Sequence, residues 1–354
     1  MRKKQLISAI LLAVMLLSLF TGCNENQGEK KQYKSYNYAF FDTVTTIVGA
    51  ETSEEEFGKA LNEIYALLGE YHKLFDIYNE YDGVNNLYTI NKIVDGKHQV
   101  VKVDKKIIDM LLKAKEMYTL TDGRMNVAMG SVLSIWHDYR TAGIDEPQNA
   151  ELPSMDKLTE AAKHTDINNL IIDEENCTVY LSDPKMRLDV GAFAKGYAVE
   201  MVARFLESKG KSNYVINVGG NIRTVGPKLD GSKWKTGIEN PTGDEELPYI
   251  EYIGLDSEAI VTSGSYQRYY IVNGKEYHHI IDKETLMPAE RGFLSVSIIC
   301  KDSGMGDGLS TALFCMSLED GMALISSLDG VEALWVTEDE TKHYSDGFGK
   351  HLYN

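Results

Sequence analysis

The sequence predicts an α+β fold: one composite domain of mixed antiparallel sheets with flanking helices. Three observations carry that expectation. Apolar residues at helical spacing dominate the first half. Short β-branched runs divided by turn residues dominate the second. No linker, repeat or low-complexity segment interrupts residues 38–354. Helices and strands gathered in blocks, rather than strictly alternating, read as α+β.

Taken in order, residues 38–50 read as a strand, with Phe41, Val44 and Ile47 among threonines. Ser53 and Glu56 form a capping box. Phe57, Leu61, Ile64, Leu68, Tyr71 and Leu74 then predict an amphipathic helix over 53–75. Asp104 caps a second helix carrying Ile107, Leu111, Ala114 and Met117, which ends near Thr121-Asp122-Gly123. A third runs from Ala194 to Lys209, with Gly210 as its stop. Strands are expected at Tyr214–Val218, Ile250–Leu255, Ile260–Thr262, Leu294–Cys300 and Val331–Val336. Tyr269–Val272 and Tyr277–Ile281 flank Asn273-Gly274, a strong hairpin signal. Asp307–Met316 reads as a helix, with a shorter one after Glu319.

The 354 residues carry 36 Lys and Arg against 53 Asp and Glu, a formal charge of −17. A chain this acidic is repelled by phosphate backbones, which excludes general nucleic-acid binding. With 43% hydrophobic and 25% charged residues, it is neither disordered, collagen-like nor multispanning.

The N-terminus reads as an address. Arg2, Lys3 and Lys4 precede an almost unbroken apolar run of 15 residues, Leu6 to Phe20. That run is short for a membrane span and fits a secretory signal. Leu19-Phe20-Thr21-Gly22-Cys23 resembles a bacterial lipobox, which makes Cys23 the expected lipidated N-terminus on the extracytoplasmic face of a membrane. An uncleaved anchor or a simple signal with an incidental cysteine is the alternative. The expected organisation is a signal peptide at 1–22, a tether at 23–37 and a folded domain at 38–354. Removing the first 22 residues takes away three basic and no acidic side chains, leaving 332 residues at −20. Cys177, Cys300 and Cys315 are too few and too scattered for a disulfide framework or a Cys/His zinc site.

Several motifs could carry chemistry. Asp307 and Thr311, four apart on a helix, project oxygens from one face. A carboxylate with a hydroxyl suits Mg²⁺ or Ca²⁺; the plainer reading is a helix cap and a back-bonded threonine. Leu188-Asp189-Val190-Gly191-Ala192-Phe193-Ala194-Lys195-Gly196 delivers a carboxylate, a small-residue turn and a helix start carrying Lys195. Such a start can hold a phosphate, or can be an ordinary connection. Asn217-Val218-Gly219-Gly220-Asn221 ends a strand on paired glycines. Thr262-Ser263-Gly264-Ser265-Tyr266 precedes the hairpin with His278 and His279, which on a strand face opposite sides. No Gly-x-Ser-x-Gly elbow is present, so a serine hydrolase is not expected. Phe75-Asp76-Ile77-Tyr78 and Asp122-Gly123-Arg124-Met125-Asn126 follow long helices.

In this order the motifs resemble the ApbE family of FAD:protein FMN transferases, from Phe41 to Met316. The Asp189–Gly196 segment and Asp307-Gly308-Leu309-Ser310-Thr311-Ala312-Leu313 are the most specific parts. Phe41-Asp42-Thr43, Trp136, Thr262-Ser263-Gly264 and His279-Ile280-Ile281-Asp282 complete the match. The resemblance implies a single composite T-fold-like domain. It implies Mg²⁺-dependent transfer of FMN from FAD to a Thr or Ser hydroxyl of another exported protein, with AMP leaving. It places Mg²⁺ at Ala192, Asp307 and Thr311. FAD contacts fall at Phe41, Tyr78, Arg124, Met125, Asn126, Asp189, Lys195, His279 and Ile281. His279 is the candidate base, and Asp307 the second catalytic residue through the metal. A Mg²⁺-dependent FAD pyrophosphatase would use the same residues. A non-catalytic flavin- or solute-binding lipoprotein is the reading from another class. Departures from the family pattern are Phe41-Asp42, Asn126, Lys283 and Leu286, the last pair suggesting a differently built turn.

Overall fold

The computed structural model describes residues 28–353, so the signal segment and Cys23 lie outside the described residues. The chain opens with β1 (Lys31–Phe40) and β2 (Thr43–Glu51), then α1 (Glu54–Phe75) and α2 (Leu87–Asn91). Two small strands, β3 (Ile93–Val94) and β4 (Lys97–His98), precede β5 (Val101–Lys102) and α3 (Lys105–Leu120). Next come α4 (Gly130–Asp145), α5 (Met155–Ala162), β6 (Leu170–Asp173), β7 (Thr178–Leu181) and α6 (Ala194–Ser208). The second half holds β8 (Tyr214–Val218), β9 (Asn221–Val225), β10 (Trp234–Glu239), β11 (Tyr249–Leu255), β12 (Ala259–Gly264), β13 (Tyr269–Val272), β14 (Lys275–His278) and β15 (Phe293–Cys300). It closes with α7 (Ser303–Phe314), α8 (Leu318–Ser326), β16 (Glu332–Thr337) and β17 (Lys342–Tyr344).

An eight-stranded sheet in the order β1-β2-β8-β9-β12-β15-β16-β17 forms the centre, with every neighbouring pair antiparallel. Strand alternation sends side chains to two separate cores. Val296, Ile298, Ala333 and Trp335 face the helices, joining Ile64, Leu68, Val199 and Val202 in the main core. Their neighbours Ile299, Leu334 and Val336 face the other way, meeting Ile253, Leu255 and Phe348 under the β10–β11 hairpin. A third, smaller core joins α4 to the β13–β14 hairpin through Val132, Trp136, Tyr270, Val272 and Leu286.

The α+β expectation holds, and several boundaries move. The first strand begins at Lys31 and pairs with β2 from Lys31↔Glu51 onward, so the expected tether to residue 37 gives way to sheet. Its side chains alternate Tyr33, Ser35, Asn37, a polar pattern that hides a strand from a hydrophobicity reading. The last long helix begins at Ser303 with Asp302 as its cap, so Asp307 lies inside it. Helices α4 and α5 lack a strong apolar stripe in the sequence; their packing comes from Trp136 and Leu158 in the third core. Strand β14 stops at His278, which releases His279 from the strand.

Candidate active site

The helices α6 and α7 cross at glycines. A Cβ built at Gly196 would fall on Asp307 and on the Ser303 carbonyl, and one at Gly304 would press on the Tyr197 backbone. This approach lets the Gly196 N–H donate to Asp307 Oδ2 at 2.8 Å. Asn221, the first residue of β9, adds a longer contact to the same oxygen at 3.4 Å. Asp307 is buried, and burial raises its proton affinity, opposed by the Lys195 charge and the Gly196 N–H. Asp307 is therefore not a cap; Asp302 fills that role through the Met305 N–H.

Above this pair lies a cleft of about 540 Å³, lined by Asp307, Thr311, Ala192, Lys195, Asp189 and His279 among others. The segment before α6 turns tightly: Asp189 accepts from the Gly191 N–H at 2.9 Å, and the Phe193 and Ala194 amides bond back to Val190. That turn faces Ala192 and Lys195 to the cleft. Asp189 also has a raised pKa through burial, opposed by the Gly191 amide, His137 and Arg140.

The second wall comes from the β13–β14 hairpin and its exit. His279 Nδ1 lies 3.1 Å from the Arg268 carbonyl. A carbonyl only accepts, so Nδ1 carries the proton and Nε2 keeps its lone pair. Burial, then Arg268 and Arg140, push the His279 pKa down to about 3. His278 is used structurally, with Nε2 against the Ala289 carbonyl and Nδ1 accepting from the Ile280 N–H.

Arg124, Met125 and Asn126 follow α3 and line the same cleft. Arg124 pairs with Asp122 at 3.2 Å, and Asn126 is spent bracing its own loop, bonding the Thr165 carbonyl and the Ala128 N–H. Lys283 reaches the Asp122 carbonyl, fastening the 282–288 turn to this loop. Leu286 takes the left-handed conformation (φ 59) and is held by the Trp136 indole N–H at 2.8 Å. That is the backbone a glycine adopts freely, so Leu286 occupies a conformation that carries a cost for a residue with a side chain.

One expected residue stands apart from the cleft lining. The Phe41 ring packs edge-on against His72, and it is Asp42 and Thr43 that line the cleft. Phe41 and Asp42 both have positive φ (53 and 51), a two-residue turn between Phe40 and Thr43. Gly219 permits the approach, since a Cβ there would meet Thr43. Tyr78 and Ile281 line the cleft as expected, Tyr78 lying 5.2 Å from the His137 ring. His137, Arg140, Arg268 and Glu239 also line it and were not anticipated. His137 and Arg140 sit one turn apart on α4, a helix the sequence did not declare, and Arg268 sits beside the expected hairpin.

A cleft with a buried carboxylate, a hydroxyl, a lysine and a neutral histidine, set on an antiparallel sheet, has the groups of an active site. The ApbE family model matches residues 41–335. The chain belongs to the ApbE family and is an enzyme of the transferase class. A relative from Klebsiella pneumoniae, named FAD:protein FMN transferase, is 30% identical over 75% of this chain and 82% of its own length. One from Treponema pallidum with the same name is 30% identical over 82% and 81%. Among solved structures, the ApbE protein of Thermotoga maritima superposes with a TM-score of 0.78 at 30% identity, covering 92% of this chain and all of its own. The flavin transferase ApbE from Vibrio cholerae gives 0.74 at 26% identity, covering 91% and 100%.

Proposed function

We propose that this chain transfers FMN from FAD to a Thr or Ser hydroxyl of another exported protein, releasing AMP. The observation that carries it is the convergence of Asp307, Thr311, Ala192, Lys195 and His279 on one cleft, in a chain of this family. The acceptor oxygen attacks the FMN phosphorus, the bond to the bridging oxygen breaks, and AMP departs with that oxygen. The acceptor proton goes to His279 Nε2, the nitrogen left with a lone pair. Lys195 holds phosphate oxygens in line with the incoming hydroxyl.

The residues fit Mg²⁺. Asp307 is buried with both of its hydrogen bonds on Oδ2, and Thr311 and Ala192 border the same space. Asp307, Thr311 and the Ala192 carbonyl are the hard-oxygen donors that would hold it. When bound, the cation supplies electrostatic stabilisation of charge on the phosphates.

The product assay tests the reading. Purified protein, FAD, Mg²⁺ and an exported flavin-carrying domain are combined, and the acceptor is examined for covalent flavin fluorescence. Fluorescent acceptor with stoichiometric AMP is the expected result; free FMN and AMP with an unlabelled acceptor would show a pyrophosphatase instead. We propose the extracytoplasmic face, with a tether through Cys23, as its location; the lipobox-like Leu19–Cys23 segment supports that reading. Globomycin treatment of cells, which blocks lipoprotein signal cleavage, should retain the 22-residue signal; an unchanged mass would exclude the lipid anchor. Among the described residues no helix is long and apolar enough to cross a membrane.

A further inference from the structure

Thr311 does not face the cleft alone. A line of hydroxyls runs from it through Ser263, at the cleft wall on β12, to the buried Ser310 on α7, and counting protons gives that line a direction. Ser310 Oγ donates to the Asp307 carbonyl at 2.9 Å, because a carbonyl has no proton to give. A serine hydroxyl has one proton, so Ser310 has none left. Its 2.8 Å contact with Ser263 must then be made by the Ser263 proton. With that proton spent, the 3.3 Å contact between Ser263 and Thr311 is open only to the Thr311 proton. The chain reads Thr311 to Ser263 to Ser310 to the Asp307 carbonyl.

We infer that Ser263 and Ser310 are positioning residues that turn the Thr311 proton toward β12 and leave its oxygen lone pairs for a divalent cation. The inference rests on the metal reading proposed above. A threonine that pointed its proton at a cation would repel it; one whose proton is accepted by a neighbouring serine is prepared as a ligand. Ser310 is fully buried and does not border the cleft, so its influence can travel only through the hydroxyl line. The arrangement also ties the two ligands together, since the line ends on the backbone of Asp307. Outer partners of this kind typically set metal affinity by about 10–100-fold.

The test is direct cation binding, measured by Mn²⁺ electron paramagnetic resonance and by calorimetry with Mg²⁺, on the protein with FAD present. The variants are Ser263→Ala, Ser310→Ala, Ser263→Thr and Ser297→Ala. Ser297 is buried on β15 and bonds Thr262 at 2.8 Å, outside the line, and so controls for loss of a buried hydroxyl. Ser263→Ala and Ser310→Ala should each weaken binding about tenfold, while Ser263→Thr and Ser297→Ala stay at the wild-type value. Equal affinity in Ser263→Ala, or a loss in Ser263→Ala with none in Ser310→Ala, would overturn the directed line. Asp307→Ala separates the two levels: if it binds Mn²⁺ like the wild type, the metal reading fails and the inference with it. Thermal melts without metal accompany each variant; a Ser310→Ala protein that melts like Ser297→Ala yet binds tenfold more weakly supports orientation over general damage.

Discussion

Replacing Gly196 by Ala adds one methyl group at the point where α6 meets α7. That Cβ would lie well inside 3.0 Å of both the Asp307 Cβ and the Ser303 carbonyl, with the Asp307 carboxyl carbon at 3.1 Å. The Ser303 carbonyl is backbone and cannot swing away. The helices must therefore part by about 1 Å to restore ordinary carbon contacts near 3.5–4.0 Å. The Gly196 N–H to Asp307 bond, now 2.8 Å, stretches beyond hydrogen-bonding range. Overpacking of this kind costs about 1–3 kcal/mol. Losing a hydrogen bond to a buried carboxylate costs about 1.5–3 kcal/mol more, and helix propensity returns at most about 1 kcal/mol. The net loss should be about 1.5–5 kcal/mol, read as a lower denaturant midpoint at unchanged slope. Transfer activity should fall with it, since Asp307 loses the donor that fixes it. Gly58→Ala on α1 is the matched control, because nothing lies within 4 Å of its Cβ; it should stabilise by about 0.4–1 kcal/mol. A Gly196→Ala protein with the wild-type midpoint and activity would refute the account of the helix crossing.

Three further outcomes follow from the same structure. Burial holds the Asp307 pKa above its ordinary value, so the folded state binds that proton more readily than the unfolded chain. Its effect is a loss of stability as pH rises through the folded pKa; metal-free Asp307→Asn should therefore melt higher than wild type at pH 7, and the gap should close below about pH 3.9. A higher-melting wild type at pH 7 would contradict this. With its pKa near 3, His279 stays neutral where an unfolded histidine, near 6.5, begins to charge; stability should decline as pH falls below about 6.5 and on toward 3. Its imidazole should show no NMR titration between roughly pH 5 and 8, and Arg268→Gln should move that titration upward. His279→Gln should keep FAD binding and lose transfer. Glu200, buried on α6, accepts from Arg223 at 3.1 Å, Arg204 at 2.8 Å and the Ser303 N–H at 3.0 Å. Glu200→Ala takes away one of the two carboxylates on Arg223, Glu207 remaining at 3.0 Å, and should cost up to about 3 kcal/mol in urea unfolding.

What the sequence disclosed depends on where its signal lies. The periodic helices, the Asn273-Gly274 hairpin and the Asp307/Thr311 pair were legible because local spacing alone produces them. Helix α4 was not, since its Trp136 and Val132 bury against Leu286 and Tyr270, residues far along the chain. With α4 unseen, His137 and Arg140 could not be placed in the cleft. Asp307 looked like a helix cap because the true cap, Asp302, stands five residues earlier with glycines between them. Phe41 was assigned to the ligand on the resemblance, yet its left-handed backbone turns the ring onto His72 and hands the cleft to Asp42 and Thr43. Such choices are made by backbone conformation, which residue identity at one position does not state.

The net charge of −17 and the proposed anionic substrate are reconciled by where the charges sit. The cleft is lined by four cations, Arg124, Arg140, Lys195 and Arg268, against four acids, Asp42, Asp189, Glu239 and Asp307. It is neutral by count in a molecule that is strongly acidic elsewhere. Among the described residues Arg140, Lys195 and Arg268 form no ion pair, although carboxylates line the same space. Cations held apart from carboxylates in a sheltered cleft are prepared for an anion that arrives later. A dinucleotide pyrophosphate would bring two negative charges to a neutral cleft, and the divalent cation proposed at Asp307 and Thr311 would restore the balance. The excess acid on the outer faces then works only at long range, where salt screens it beyond about 8–10 Å. Nucleotide binding should accordingly respond far more to removal of the divalent cation than to ionic strength.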